Sequence, residues 1–74
     1  MTKFYRIKVG SYHYVAYVAF NNTEEGLILE PYPTLNIDNA AIYEEDKAKR
    51  YCEELNNTER YKKAKIIFYL KEAK

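Results

Sequence analysis

The sequence predicts a two-layer α+β sandwich, in which a mostly antiparallel sheet of three to four strands carries one helix on one face, in the order β-β-β-(β)-α-β. Three observations predict it. Lys3 to Val9 and Tyr12 to Phe20 are rich in aromatic and β-branched residues and are separated by Gly10-Ser11, a hairpin signature. Ala48, Tyr51, Cys52 and Leu55 fall at i, i+3, i+4 and i+7, which makes one apolar helical stripe. From Lys62 to Leu70, apolar and polar positions alternate with the period of a strand.

In the first hairpin, Gly10 in the first loop position suits a type II′ turn of two residues. Such a turn sets Val9 opposite Tyr12, Ile7 opposite Tyr14 and Tyr5 opposite Ala16. With Val18 and Phe20 these residues share the core face, and Phe4, Arg6, Lys8, His13, Val15 and Tyr17 take the other. Asn21 to Gly26 then reads as a turn and Leu27 to Glu30 as a third strand. Pro31-Tyr32-Pro33 is expected to end that strand, because proline has no ladder donor. Residues 34–39 read as a loop. Ala40 to Tyr43 reads as a short fourth strand, with the start of the helix as the alternative. The helix runs from about Glu45 to Asn56, with Glu44, Glu45 and Asp46 placed where the helix dipole favours acids and Asn56-Asn57 as a left-handed cap. In the last strand Ala64, Ile66, Phe68 and Leu70 face the helix, and Lys63, Lys65, Ile67 and Tyr69 face away.

Residues 1–74 form one small domain by length, too short for a deep substrate cavity or a dinucleotide crevice. With 47% hydrophobic residues, 31% charged and only two glycines and two prolines, the chain has the composition of a globular domain rather than a disordered one. Its net charge of +1 conceals segments of +3 (residues 1–23), −6 (24–55) and +4 (56–74). The single cysteine, Cys52, forms no internal disulfide, and no apolar run near the start ends in a small-residue cleavage site. A cytoplasmic protein is expected, and the sequons at Asn21 and Asn56 then carry no meaning. No stretch approaches the ~18 apolar residues of a membrane span.

Chemistry is thinly supported, and no enzyme is expected. His13 has no nucleophile beside it in any known motif, Cys52 belongs to the helix stripe, and the acids at 44–46 lack the spacing of a calcium loop. One Cys and one His make no zinc set, and two glycines make no phosphate loop, so neither metal nor cofactor is expected. Tyrosine is the unusual feature, at nine residues with no tryptophan. Tyr5, Tyr14 and Tyr51 are expected in the core. Phe4, Arg6, Lys8, His13, Tyr17, Lys65 and Tyr69 are expected together on the open sheet face, where exposed rings beside cations make a protein-binding surface. The same face suits stacked single-stranded bases, although Phe4-Tyr5-Arg6-Ile7-Lys8 lacks the ribonucleoprotein signature. A homodimer through the face or a sheet edge is a third reading, beside a monomer.

Tyr5-Arg6-Ile7-Lys8-Val9-Gly10, then Tyr12-His13-Tyr14-Val15, then Asp38-Asn39-Ala40-Ala41-Ile42-Tyr43, with Ala48 and Leu55 on the helix and a closing apolar strand, resembles short uncharacterised accessory proteins of phages and prophages of Gram-positive bacteria. Residues Asn57 to Lys63 depart from that pattern, which turns sharply there. The resemblance brings no catalytic residues. It implies an accessory protein in the host cytoplasm that binds and inhibits a host protein, such as a defence nuclease or a replication or transcription factor.

Overall fold

The computed structural model describes residues 2–73. Its elements are β1 (Phe4–Val9), β2 (His13–Thr23), β3 (Gly26–Thr34), a 3-10 turn (Ile37–Asn39), β4 (Tyr43–Glu44), α1 (Glu45–Asn56), α2 (Glu59–Lys63) and β5 (Phe68–Ala73). They build the expected α+β fold, one antiparallel sheet with α1 on one face. β1 is its axis. β5 pairs with the whole of β1, from Phe4↔Ala73 to Val9↔Phe68. The other edge of β1 is shared, since β2 pairs only with Lys8 and Val9, and β4 pairs with Phe4 and Tyr5. Beyond that point β2 diverges from β1, and Ala41 N–H donates to Val15 O at 3.1 Å, so residues 40–44 fill the gap.

Helix α1 spans the expected residues, and its stripe docks as expected. Ala48, Cys52 and Leu55 are buried, and the last two join Ile7, Val15, Leu29, Tyr61 and Phe68 in one core cluster. A 12-residue helix is marginal alone, and this contact with β1, β3 and β5 holds it. Lys49 adds an i,i+4 pair with Glu45 at 3.1 Å. No helix is long and apolar enough to cross a membrane among the described residues.

The first hairpin has a different register from the one expected. Val9 pairs with His13 and Lys8 with Tyr14, so the loop is Gly10-Ser11-Tyr12. The core favours it: one more loop residue puts Val15 beside Ile7, where Tyr14 would have had to bury its hydroxyl, and Gly10 N–H, donating to Ile67 O at 3.1 Å, extends the β1–β5 ladder one residue past β1. A slip of one residue exchanges the faces of a strand. Val15 therefore comes level with Ile7, both fully buried, while Tyr14 turns to the open face and Tyr12 is 78% exposed in the loop. Opposite β3, the register shifts again between Val15 and Tyr17. This bulge at Ala16 cancels the slip, so Val18 packs on the core and Tyr17 is exposed, as the hairpin reading expected.

Strands β2 and β3 are longer than the sequence suggested. The loop between them contracts to Glu24-Glu25, held by Thr23 Oγ1, which donates to Gly26 O and accepts from Glu25 N–H. β3 then runs through Pro31 and Pro33 to Thr34, because it is an edge strand. On an edge, a proline whose nitrogen points away from the sheet removes no ladder bond. The Leu29 carbonyl points outward too, for it accepts from Tyr61 Oη at 3.3 Å, and Pro31 and Pro33 share its alternation.

The end of the chain also departs from expectation. Asn57 has right-handed backbone, not left-handed, and the chain passes through Thr58 into the second helix, α2. Residues 62–67 are therefore not strand, and β5 starts at Phe68 and continues past Leu70 to Ala73. Tyr61 sits on α2, 8% exposed, with its ring edge-on to Phe68 at 5.6 Å between centroids. A buried aromatic at this position anchors α2 to the core and draws the chain out of the strand conformation.

Candidate functional site: the open sheet face

The register fixes which side chains share the face opposite α1. Directly paired residues point to the same side. Lys8 pairs with Tyr14 on β2 and Tyr69 on β5, Arg6 with Lys71 on β5, and Phe4 with Ala73 on β5 and Glu44 on β4. Past the bulge, Tyr17 pairs with Tyr32 on β3, and their rings stack at 4.5 Å between centroids and 12° between planes. Asn21 Nδ2 donates to Tyr32 Oη at 3.2 Å and holds that ring from the tip side. The outcome is a shallow surface of five rings, from Phe4, Tyr14, Tyr17, Tyr32 and Tyr69, with Arg6, Lys8 and Lys71 between them.

Of the residues expected here, Phe4, Arg6, Lys8, Tyr17 and Tyr69 are brought together, with Phe4, Tyr17 and Tyr69 each between 43% and 55% exposed. Two are not. His13 pairs with Val9, whose side chain packs on the core, so the shifted turn carries His13 to the other side. Lys65 follows α2 in left-handed backbone and lies outside β5. Tyr14, Tyr32 and Lys71 belong to the face and were not expected there. Tyr14 was hidden by the register slip, Tyr32 by the two prolines around it, and Lys71 by a strand read as ending at Leu70.

The electrostatics are one-sided at the centre. The ion pairs among the described residues are Lys49–Glu45 and Arg60–Glu25, and neither involves the face. Arg6 and Lys71 stand side by side across β1 and β5, an arrangement that disfavours the sheet by itself. Arg6 Nε is buried and has no hydrogen-bond partner. On the helix side, burial pushes the Cys52 thiol up from its ordinary value. Its Sγ donates to Phe68 O at 3.4 Å, so the thiol is held neutral in the core, away from the open face. Burial, and then the neighbouring Tyr51, raises Tyr43 likewise.

Comparison with family models, with curated proteins and with solved structures finds no match to this chain. The functional reading therefore rests on the face itself.

Proposed function

We propose that the protein is a small non-enzymatic binding module whose open sheet face engages a protein partner; on the resemblance stated above, the partner is a host protein in the host cytoplasm, and binding inhibits it. The observation that carries the binding reading is the grouping of five rings from four strands around Arg6, Lys8 and Lys71. Tyrosine gives rigid contact area at little entropic cost, and Tyr and Arg dominate the energetics of protein interfaces. A second reading, single-stranded nucleic acid on the same face, is favoured by Lys8 standing between Tyr14 and Tyr69, where a base stacked on either ring puts its phosphate near a cation. The net charge of +1 supports the protein reading, since it leaves little long-range field to gather a polyanion.

The test separates the two by salt and by truncation. Tyr17→Ala and Tyr69→Ala should keep the wild-type fold and each weaken capture of the protein partner from a nuclease-treated Gram-positive lysate by about tenfold or more. Labelled oligonucleotides should show no micromolar binding at ~50 mM salt. Micromolar binding that vanishes by ~200 mM, and is lost in Lys8→Ala, would replace the protein by a single strand.

A further inference from the structure

β5 has one partner strand, β1, and its outer edge is open. Since Gly10 and Ile67 are bonded across the start of this ladder, the antiparallel alternation turns the main-chain groups of Phe68, Leu70 and Glu72 away from β1. Those of Phe68 are taken by a side chain: Asn56 Oδ1 accepts from Phe68 N–H at 2.9 Å, and Asn56 Nδ2 donates to Phe68 O at 3.0 Å. Leu70 and Glu72 have no outward partner among the described residues. Two N–H and two C=O groups thus stand ready as a template for another strand. The opposite border of the sheet is interrupted, by Pro31, Pro33 and the Tyr61 hydroxyl on Leu29 O.

Charge selects the occupant. In a pairing of two copies that satisfies Leu70 and Glu72 in both chains, Leu70 faces the copy's Glu72, and Lys71 then faces the copy's Lys71. Arg6 already flanks Lys71 on its inner side, and neither cation has an ion-pair partner among the described residues. A second copy would line up four cations in a row, Arg6 and Lys71 of each chain, whereas a strand with a carboxylate at that position sets an anion against the pair. We propose that the β5 edge receives an extended segment of the protein partner, added as a further strand with an Asp or Glu beside Lys71. This rests on the protein-partner reading and names how that partner is gripped: main-chain bonds at Leu70 and Glu72 for affinity, and Arg6 and Lys71 for specificity.

The probe is a blocked peptide of alternating Thr and Val with one central Glu, with Gln and Lys counterparts, titrated into isotope-labelled protein at ~50 mM salt. Shifts should centre on residues 69–73, with slowed exchange of the Leu70 and Glu72 amides. The Glu peptide should bind about tenfold tighter than the Lys peptide, and Lys71→Glu should reverse that order. Glu72→Pro removes an outward donor without touching the β1 ladder and should weaken binding by about tenfold. If that variant does not fold, the charge reversal at Lys71 decides alone. No response of β5 at millimolar peptide, equal binding of the three peptides, or a dimer that Glu72→Pro dissolves would each overturn the proposal, the last in favour of a second copy. Tyr17→Ala, on β2, keeps the two readings apart. Partner capture that depends on Tyr17 while β5 ignores the peptide sinks the edge and spares the face. Peptide binding at β5 with capture indifferent to Tyr17 and Tyr69 does the reverse.

Discussion

Asn56 does for β5 what a neighbouring strand would do. Its amide offers one acceptor and one donor at the spacing of a main-chain pair, and both are spent on Phe68, whose side chain is 3% exposed in the core. The same Phe68 carbonyl also accepts from Cys52 Sγ, so α1 and β5 are joined by polar bonds beside an apolar contact. Removing one partner of a buried hydrogen bond costs the desolvation of the group left behind, roughly 1 to 3 kcal/mol. Asn56→Ala strands the Phe68 N–H and leaves its carbonyl only the Cys52 thiol, and urea unfolding should show a loss of about 1 to 3 kcal/mol with an unchanged denaturant slope. A loss below about 0.5 kcal/mol would mean that water reaches Phe68. In the sequence Asn56 reads as a helix cap, because its true partner lies 12 residues further on and no local pattern points to it.

The elements show the same division between local and distant causes. Helix α2 ends in a full Schellman arrangement: Ile66 N–H donates to Tyr61 O at 2.9 Å, and Lys65 N–H donates to Lys62 O at 3.0 Å. The residue that must turn left-handed is Lys65, at φ +59°, where glycine is the usual occupant. A left-handed lysine costs about 1 to 2 kcal/mol, part of which returns as backbone entropy when glycine replaces it. Lys65→Gly should therefore stabilise the domain by about 0.5 to 1 kcal/mol, read as a raised melting temperature, and a destabilised variant would show that the lysine stem packs. Gly10, at φ +59° as well, already has the residue its backbone requires. Helix α1 was legible in full, since its stripe and acidic first turn are local. Helix α2 was not, because five residues carry too little periodicity to compete with an alternating pattern.

At the scale of the molecule, buried acids set how stability responds to base. Burial raises Cys52, Tyr43 and Tyr61, the last also through Glu30. A group with a folded pKa above its unfolded one stabilises fully below the unfolded value and loses that contribution as pH rises towards the folded one. The ordinary values are 9.0 for the thiol and 10.0 for the phenols. Stability should hold level from neutral pH to about 9 and then fall, more steeply above about 10. Cys52→Ala should flatten the first part of the decline and leave the second, as denaturant midpoints measured across the range would show. A decline that starts below pH 8 in both proteins would refute this assignment.

What the sequence determined by itself is whatever depends on neighbours along the chain. The α+β class, the span and buried stripe of α1, and the faces of Phe4, Arg6, Lys8 and Tyr69 follow from periodicity, whereas Tyr17 reaches its expected face only because the bulge at Ala16 offsets the shifted turn. The tertiary structure alone decided what depends on neighbours across it. Packing against α1 takes Val15 beside Ile7 into the core and so moves the first turn, which brings Tyr14 to the open face and takes His13 away. The position of β3 at the edge lets the strand pass through Pro31 and Pro33 and adds Tyr32 to the face. Burial of Tyr61 turns residues 59–63 into helix, removes Lys65 from the strand, and leaves β5 to run on to Lys71. In each case a pairing or a burial between distant segments outweighs a local preference of about 1 kcal/mol, and a single chain read in order holds no record of which segments will meet.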